Sequence, residues 1–250
     1  MSSITLSLIV FACVFGGALL GLLLRAVLPQ HHLSSETKDV VKLGMGLVGT
    51  MAALVLGLLV ASAKGYYDAQ SAEVTQLAAN AVLFDRVLAN YGPETKEARN
   101  LFRSVASRIL DQMWSKDSTS ASASATSTGG EILYDKIQGL EPKSDAQRSL
   151  QGQALSIAMD FGKTRTLMYA QKSTSVALPL LVVLVLWLSV IFISFGLFAP
   201  FNATVVSSLL VSALSVSGAI FLILEMYTPY AGVVQISDAP LRAAIVNLGR

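Results

Sequence analysis

Few side chains in this 250-residue sequence are placed to do chemistry. The only two histidines, His31 and His32, are adjacent, and Glu36 and Asp39 follow closely. These are metal-ligating types, but they lack the spaced donors of a zinc helix or ribbon. The stretch reads as a solvated loop, and no metal is expected. The single cysteine, Cys13, lies in an apolar run and has no partner for a disulfide within the chain. No glycine-rich phosphate loop, nucleophile elbow or metalloprotease helix occurs. Asp85 with Arg86, and Asp160 with Lys163, are expected to be surface ion pairs of little energetic weight. The sequence therefore points away from an enzyme and implies no cofactor.

The remaining charges of interest mark the ends of apolar runs, and those runs define the elements. Hydrophobic residues make up 53% of the chain and charged ones 14%, against about 25% charged in a soluble domain. Thirteen Lys/Arg and twelve Asp/Glu lie between Lys64 and Lys172, so both ends of the chain are nearly bare of charge. A spanning helix needs about 20 mostly apolar residues, and residues 5–24, 43–63, 176–198 and 205–224 qualify. The last two are joined by a helical hairpin turn, 199–202, where Pro200 ends the first of the pair. The first run lacks a positive leader and a small-residue cleavage site, so it is expected to be a retained span rather than a signal peptide. No Asp, Glu, Lys, Arg or His lies in the middle of a span; Arg25 and Glu225 stand at span ends, where they can snorkel. That absence argues against a proton-coupled transporter. A net charge of +2 without a basic, aromatic-bearing stripe gives no reason to expect a nucleic-acid partner.

The expected fold class is an all-α membrane protein with four transmembrane helices, the second and third extended into a cytoplasmic helical bundle. Residues 1–63 hold the first two spans, 64–175 the insert, 176–225 the last two spans, and 226–250 a tail. Four spans put both termini and the insert on one side of the bilayer. Lys64, Arg165, Lys172 and Arg242 lie on that side and Arg25, Lys38 and Lys42 on the other, so the positive-inside rule places the insert in the cytoplasm by a narrow balance.

Helices in lipid associate by close packing, and small residues four apart mark an interface. The second span carries Gly49, Ala53, Gly57 and Ala61, then Gly65, with Gly44 and Gly46 before them; the first carries Gly17 and Gly21. The second-span row fits either packing inside one subunit or a subunit interface beside a narrow pore. The candidate pore or interface residues are Gly46, Gly49, Thr50, Ala53, Gly57 and Ala61, an apolar lining of the kind that gates by dewetting. Lys42, Lys64 and Asp68 are the candidate charges at the pore mouths. Rings of Lys favour anions, and Asp68, one turn from Lys64, offsets that bias. The serines of the fourth span read as interhelical hydrogen bonders.

After Lys64 the pattern becomes a seam. Tyr67, Val74, Leu77, Ala81, Phe84, Leu88 and Tyr91 follow coiled-coil spacing, with Gln70 as the one polar member. The second span is thus expected to run on as one helix of about 50 residues, roughly 75 Å long, until Gly92-Pro93 ends it. A helix over 93–114, with Ala98, Leu101, Val105 and Ile109 on its apolar face, should fold back antiparallel. Residues 115–130, a Ser/Ala/Thr-rich run, are expected to form a mobile loop, and 131–138 a short amphipathic piece. Ser144 with Gln147 three residues on is a capping box. It opens a helix with Leu150, Ala154, Ile157, Phe161 and Met168 along its seam, which runs into the third span. In the tail, Asp238 and Pro240 mark a helix start. Leu241, Ala244, Ile245 and Leu248 make an amphipathic stripe that packs on the insert, lies on a membrane surface or plugs a cytoplasmic opening.

The run Val48-Gly49-Thr50 to Leu56-Gly57, then Tyr67-Asp68, Glu73, 78–81 and Asp85-Arg86, resembles a large family of bacterial membrane proteins described as bestrophin-like. So does the tail, in Pro229-Tyr230-Ala231-Gly232 and in 235–241. Bestrophins proper are pentameric anion channels with four spans per subunit, cytoplasmic termini and long cytoplasmic helices. The resemblance implies a bacterial inner-membrane homo-oligomer, a pentamer as first guess, whose partners are the lipid bilayer, its own copies and inorganic ions. The acidic calcium-clasp cluster of animal bestrophins has no counterpart here, and residues 43–63 contain no Phe, Tyr or Trp where the bestrophin neck carries an aromatic ring. The leading reading is a homo-oligomeric ion channel, anion-conducting in the family's manner, with an apolar pore along the second span. The alternative is a non-conducting membrane scaffold or sensor that signals through the insert.

Overall fold

A computed structural model of the protein describes residues 2–29, 34–114, 120–171 and 178–249, without the side chains of 120–128 and 169–171. The chain is all-α, 87% helical, with no strand among the described residues. It divides into two compact units, Met1–Tyr66 with Ser175–Tyr227, and Tyr67–Thr174 with Thr228–Arg250. The histidine pair lies outside the described residues, and so does the junction between the insert and the third span.

Four helices are long and apolar enough to cross a membrane: α1 (Ser3–Val27), α2 (Ser35–Tyr91), α6 (Leu178–Phe198) and α7 (Ala203–Met226). Three of them start on a side-chain cap. Ser2 caps α1 through the Thr5 N–H at 3.2 Å, Ser34 accepts from the Thr37 N–H at 3.3 Å, and Asn202 caps α7 through the Val205 N–H at 2.8 Å. The Ser34 cap makes α2 begin at Ser35, well before Lys42, and the helix is continuous for 57 residues.

In the first unit α1 is the central packing helix. It lies most closely on α6 and also on α7. The close approach is set by glycines. A β-carbon on Gly21 would collide with the backbone of Ile193 and Leu197, and one on Gly196 with the backbone of Ala18 and Leu22. Gly17 faces Ser189 and Ile193 in the same groove. Val14, Ala18, Leu184, Ala213 and Ile220 fill the surrounding core.

The second unit is built on the α2 seam. Gln70, Val74, Leu77, Ala81, Phe84, Leu88 and Tyr91 are all buried. Gly92, at φ 140°, breaks the helix in a backbone region that favours glycine. A 3-10 turn, Pro93–Thr95, follows, and the Thr95 hydroxyl donates to the Leu88 carbonyl at 2.6 Å, satisfying one of the last carbonyls of α2. Helix α3 (Lys96–Trp114) then returns along α2, its Phe102 ring 4.5 Å from Phe84 and 5.6 Å from Phe161 of α5 (Asp145–Gln171). The capping box at the start of α5 is slightly displaced. Ser144 accepts from the Gln147 N–H at 3.2 Å, but the Gln147 amide reaches back to the Lys143 N–H at 2.7 Å.

The expected loop over 115–130 is corrected where it is described: Ser120–Gln138 is one helix, α4. Alanine is the strongest helix former, and extending an existing helix costs far less than nucleating one. The anchor lies downstream, where Leu133 and Ile137 are buried in the core of this unit.

The tail belongs to the second unit. Helix α8 (Ala239–Asn247) buries Leu241, Ala244 and Ile245, and Leu248 just beyond it, so its apolar stripe is already covered by protein. Asp238 holds the N-cap position without capping. Its carboxylate pairs with Arg242 at 2.6 Å, and the Ser237 hydroxyl accepts from the Ala239 N–H instead.

Candidate functional site

The membrane part of α2 is the least covered of the four spans. Only 11% of its apolar window is buried within the chain, against 28–33% for the other three. Its covered side carries Ala52, Leu59 and Ala63, which join the core of the unit. Near the end of α7 the contact is polar and aromatic. The Ser62 and Tyr227 hydroxyls are 3.0 Å apart, and the Tyr66 and Tyr227 rings stack with centroids 5.3 Å apart. Glu225 is buried here at the end of α7, where a snorkelling carboxylate was expected.

The opposite side is bare. Thr50, Gly57, Ala61 and Lys64 are exposed, together with Leu43, Leu47, Leu54 and Leu58. A β-carbon on Gly46, Gly49, Gly57 or Gly65 would meet no atom within 4 Å, so packing inside one subunit does not explain this row. The Thr50 hydroxyl donates to its own helix at the Leu47 carbonyl, 2.7 Å away, which leaves the face without a free polar donor at that level. Lys64 and Asp68 stand one helical turn apart on α2.

The candidate residues do not form one uniform stripe. Successive residues four apart advance about 40° around a helix, so the row winds. Gly57 and Ala61 point away from the unit's core. Gly46, Gly49 and Lys42 instead border a hollow of about 580 Å³ between α2, α6 and α7.

In the second unit one cluster escaped the reading of the sequence. Asp85 is buried and takes both Nε and Nη2 of Arg99 at 2.8 Å, plus the backbone N–H of Gly249 at 3.1 Å. Burial alone would raise its pKa, but the Arg99 hydrogen bonds, the Gly249 N–H and the guanidinium charge outweigh it and hold the carboxyl below its ordinary value. The expected pairing of Asp85 with Arg86 is thereby corrected, because adjacent residues on a helix point in different directions. Asp160 and Lys163 likewise form no ion pair; both are exposed. A second buried tie joins the tail to the seam, where the Tyr230 hydroxyl donates to the Gln70 side-chain carbonyl at 2.8 Å. The Trp114 indole N–H donates to the Ile236 carbonyl at 3.0 Å. The polar residue inside an apolar seam was the only sequence signal of these ties.

A family model described as the bestrophin-like domain matches residues 12–241. No curated protein and no solved structure matches the chain.

Proposed function

The chain belongs to the bestrophin-like family of membrane proteins, and from that premise we propose that it is a homo-oligomeric ion channel, pentameric as a first expectation, with α2 around the pore. The observation that carries this reading is the bare face of α2. An apolar span that packs so little within its own chain is covered in the membrane by lipid, by other copies or by the wall of a pore. The small residues Ala53, Gly57 and Ala61 on this helix leave a narrow, apolar passage between the copies. Such a passage conducts when wetted and closes by dewetting.

The charges at its end support a weak anion preference. A ring of Lys64 side chains raises the local anion concentration, and the Asp68 ring one turn on reduces that bias. In this reading the insert and both termini face the cytoplasm of a bacterial cell, the protein sits in the inner membrane, and no catalytic chemistry is assigned. Reconstitution of the purified protein in a planar bilayer tests it: single-channel current in symmetric chloride is expected. An oligomer that stays silent across voltages and salts shifts the weight to a scaffold or sensor.

A further inference from the structure

The membrane unit contains a hollow between α2, α6 and α7 that its own side chains leave open. It lies where three spans end. Lys42 bounds the apolar run of α2, and Ala199 and Val205 flank the turn from α6 to α7. In a bilayer this is the depth of the lipid headgroups and the first methylenes. A volume of 580 Å³ falls within the usual range of ligand pockets, about 300–1,000 Å³. Gly46 and Gly49 form part of the wall, and because a β-carbon at either meets nothing, they add volume rather than a contact.

The chemistry of the wall is specific. It is apolar except for the ammonium of Lys42 and the hydroxyls of Ser194 and Ser208. Among the described residues these three groups have neither a hydrogen bond nor an ion pair. Lys38 adds a second cation one turn earlier on α2, and the nearby Asp39 pairs with neither. A small inorganic anion would satisfy Lys42 and leave the apolar wall uncovered. An apolar side chain from a second copy would cover the wall and leave the ammonium unpaired at the edge of the hydrocarbon, which is costly.

We propose that the hollow seats one acyl chain of an anionic phospholipid, with its phosphate on Lys42 and its ester oxygens accepting from Ser194 and Ser208. An amphiphile is the one occupant that matches both ends of the site. The proposal stands apart from conduction: a silent protein that retains lipid removes the channel and keeps this site.

Full-length protein is purified in detergent, stripped of lipid and titrated with phosphatidylglycerol or with phosphatidylcholine of the same acyl chains, and bound lipid is counted by native mass spectrometry. One phosphatidylglycerol per chain is expected, held more tightly than phosphatidylcholine. Lys42→Gln should weaken phosphatidylglycerol about fivefold, the effect of one cation near an anionic headgroup, and leave phosphatidylcholine unchanged. Gly46→Leu fills the hollow and should abolish retention of both lipids; if it does not fold, Lys42→Gln decides alone. Equal affinity for the two lipids, unchanged binding in Lys42→Gln, or full retention in a folded Gly46→Leu protein overturns the proposal. So does a photo-crosslinking side chain at position 208 that captures a second copy of the chain instead of lipid.

Discussion

Gly21 of α1 and Gly196 of α6 mark the point where two membrane helices touch backbone to backbone. A β-carbon on either would run into the other helix, at the Ile193 carbonyl from one side and the Ala18 carbonyl from the other. Lipid gives no hydrophobic push between helices, so this contact area is a main source of cohesion in the unit. Gly21→Leu or Gly196→Leu should therefore cost more than the usual 1–3 kcal/mol of overpacking, about 3 kcal/mol or above. Thermal unfolding in detergent, followed by size exclusion, should show a lower Tm and loss of the monodisperse peak. Gly16→Ala is the internal control, because a β-carbon there meets nothing; it should be neutral or slightly stabilising through helix propensity, by about 0.5–1 kcal/mol. Equal behaviour of the three variants would remove the crossing from the account.

The Asp85–Arg99 pair makes a pH-dependent contribution. The folded carboxyl has a pKa below its unfolded value of about 3.8. Its stabilisation is therefore fully present above that unfolded value and is lost as pH falls through the lower folded value. Asp85→Asn removes the charge but keeps the shape. Breaking one partner of a fully buried pair costs about 3–5 kcal/mol; with Arg99 partly exposed, about 2–3 kcal/mol is expected. Denaturant titration at pH 7 and at pH 3 should show the wild-type advantage at pH 7 shrinking at pH 3. An advantage of the same size at both pH values would mean that the pair carries no net stability.

What was legible from the residues, and what was not, follows the range of each signal. The four apolar runs were legible because a span is a local, 20-residue pattern. The α2 seam was legible because every member, including Gln70, obeys one helical period. Gly17 and Gly21 marked a contact face on α1, but Gly196 stands alone in α6 with no row around it, so the partner was hidden. The partner of Asp85 was hidden for a related reason: Arg99 lies beyond a chain reversal, and the carboxylate also takes an amide from the far end of the chain. Helix α4 was missed because composition reports what a segment can bury by itself, and the burial that anchors this one comes from Leu133 and Ile137.

The tail is held by a buried hydrogen bond that can be removed without changing shape. Tyr230→Phe deletes the donor to Gln70 and leaves a buried amide carbonyl without this partner. The expected cost is about 0.5–1.5 kcal/mol, the net worth of one buried hydrogen bond. Hydrogen exchange should localise it, with faster exchange at 228–248 and at the Trp114 end of α3. Gln70→Leu combined with Tyr230→Phe should recover part of the loss, since the seam is otherwise apolar. A Tyr230→Phe variant as stable as the wild type would mean that Tyr230 acts through its ring packing on Trp114, 5.3 Å away, rather than through its hydroxyl.

Conduction along the bare face of α2 predicts opposite results at two levels of one helix. Gly57 is exposed with open space around it, so Gly57→Leu has room to fold and, in the pore reading, fills the passage in every copy at once. Current should fall below detection while the oligomer keeps its size on a gel-filtration column. Lys64 lies at the end of the same span, where a side chain changes charge rather than bore. Lys64→Glu should keep the current and move the reversal potential, in a tenfold salt gradient, toward the cation value. Asp68→Asn should move it the other way, toward the anion value. Because Lys64 and Asp68 share one side of α2 a turn apart, the double variant Lys64→Gln with Asp68→Asn should bring selectivity near that of the wild type with little change in conductance. Gly57→Leu channels that still conduct, or reversal potentials indifferent to both charges, would place the ion path somewhere other than α2.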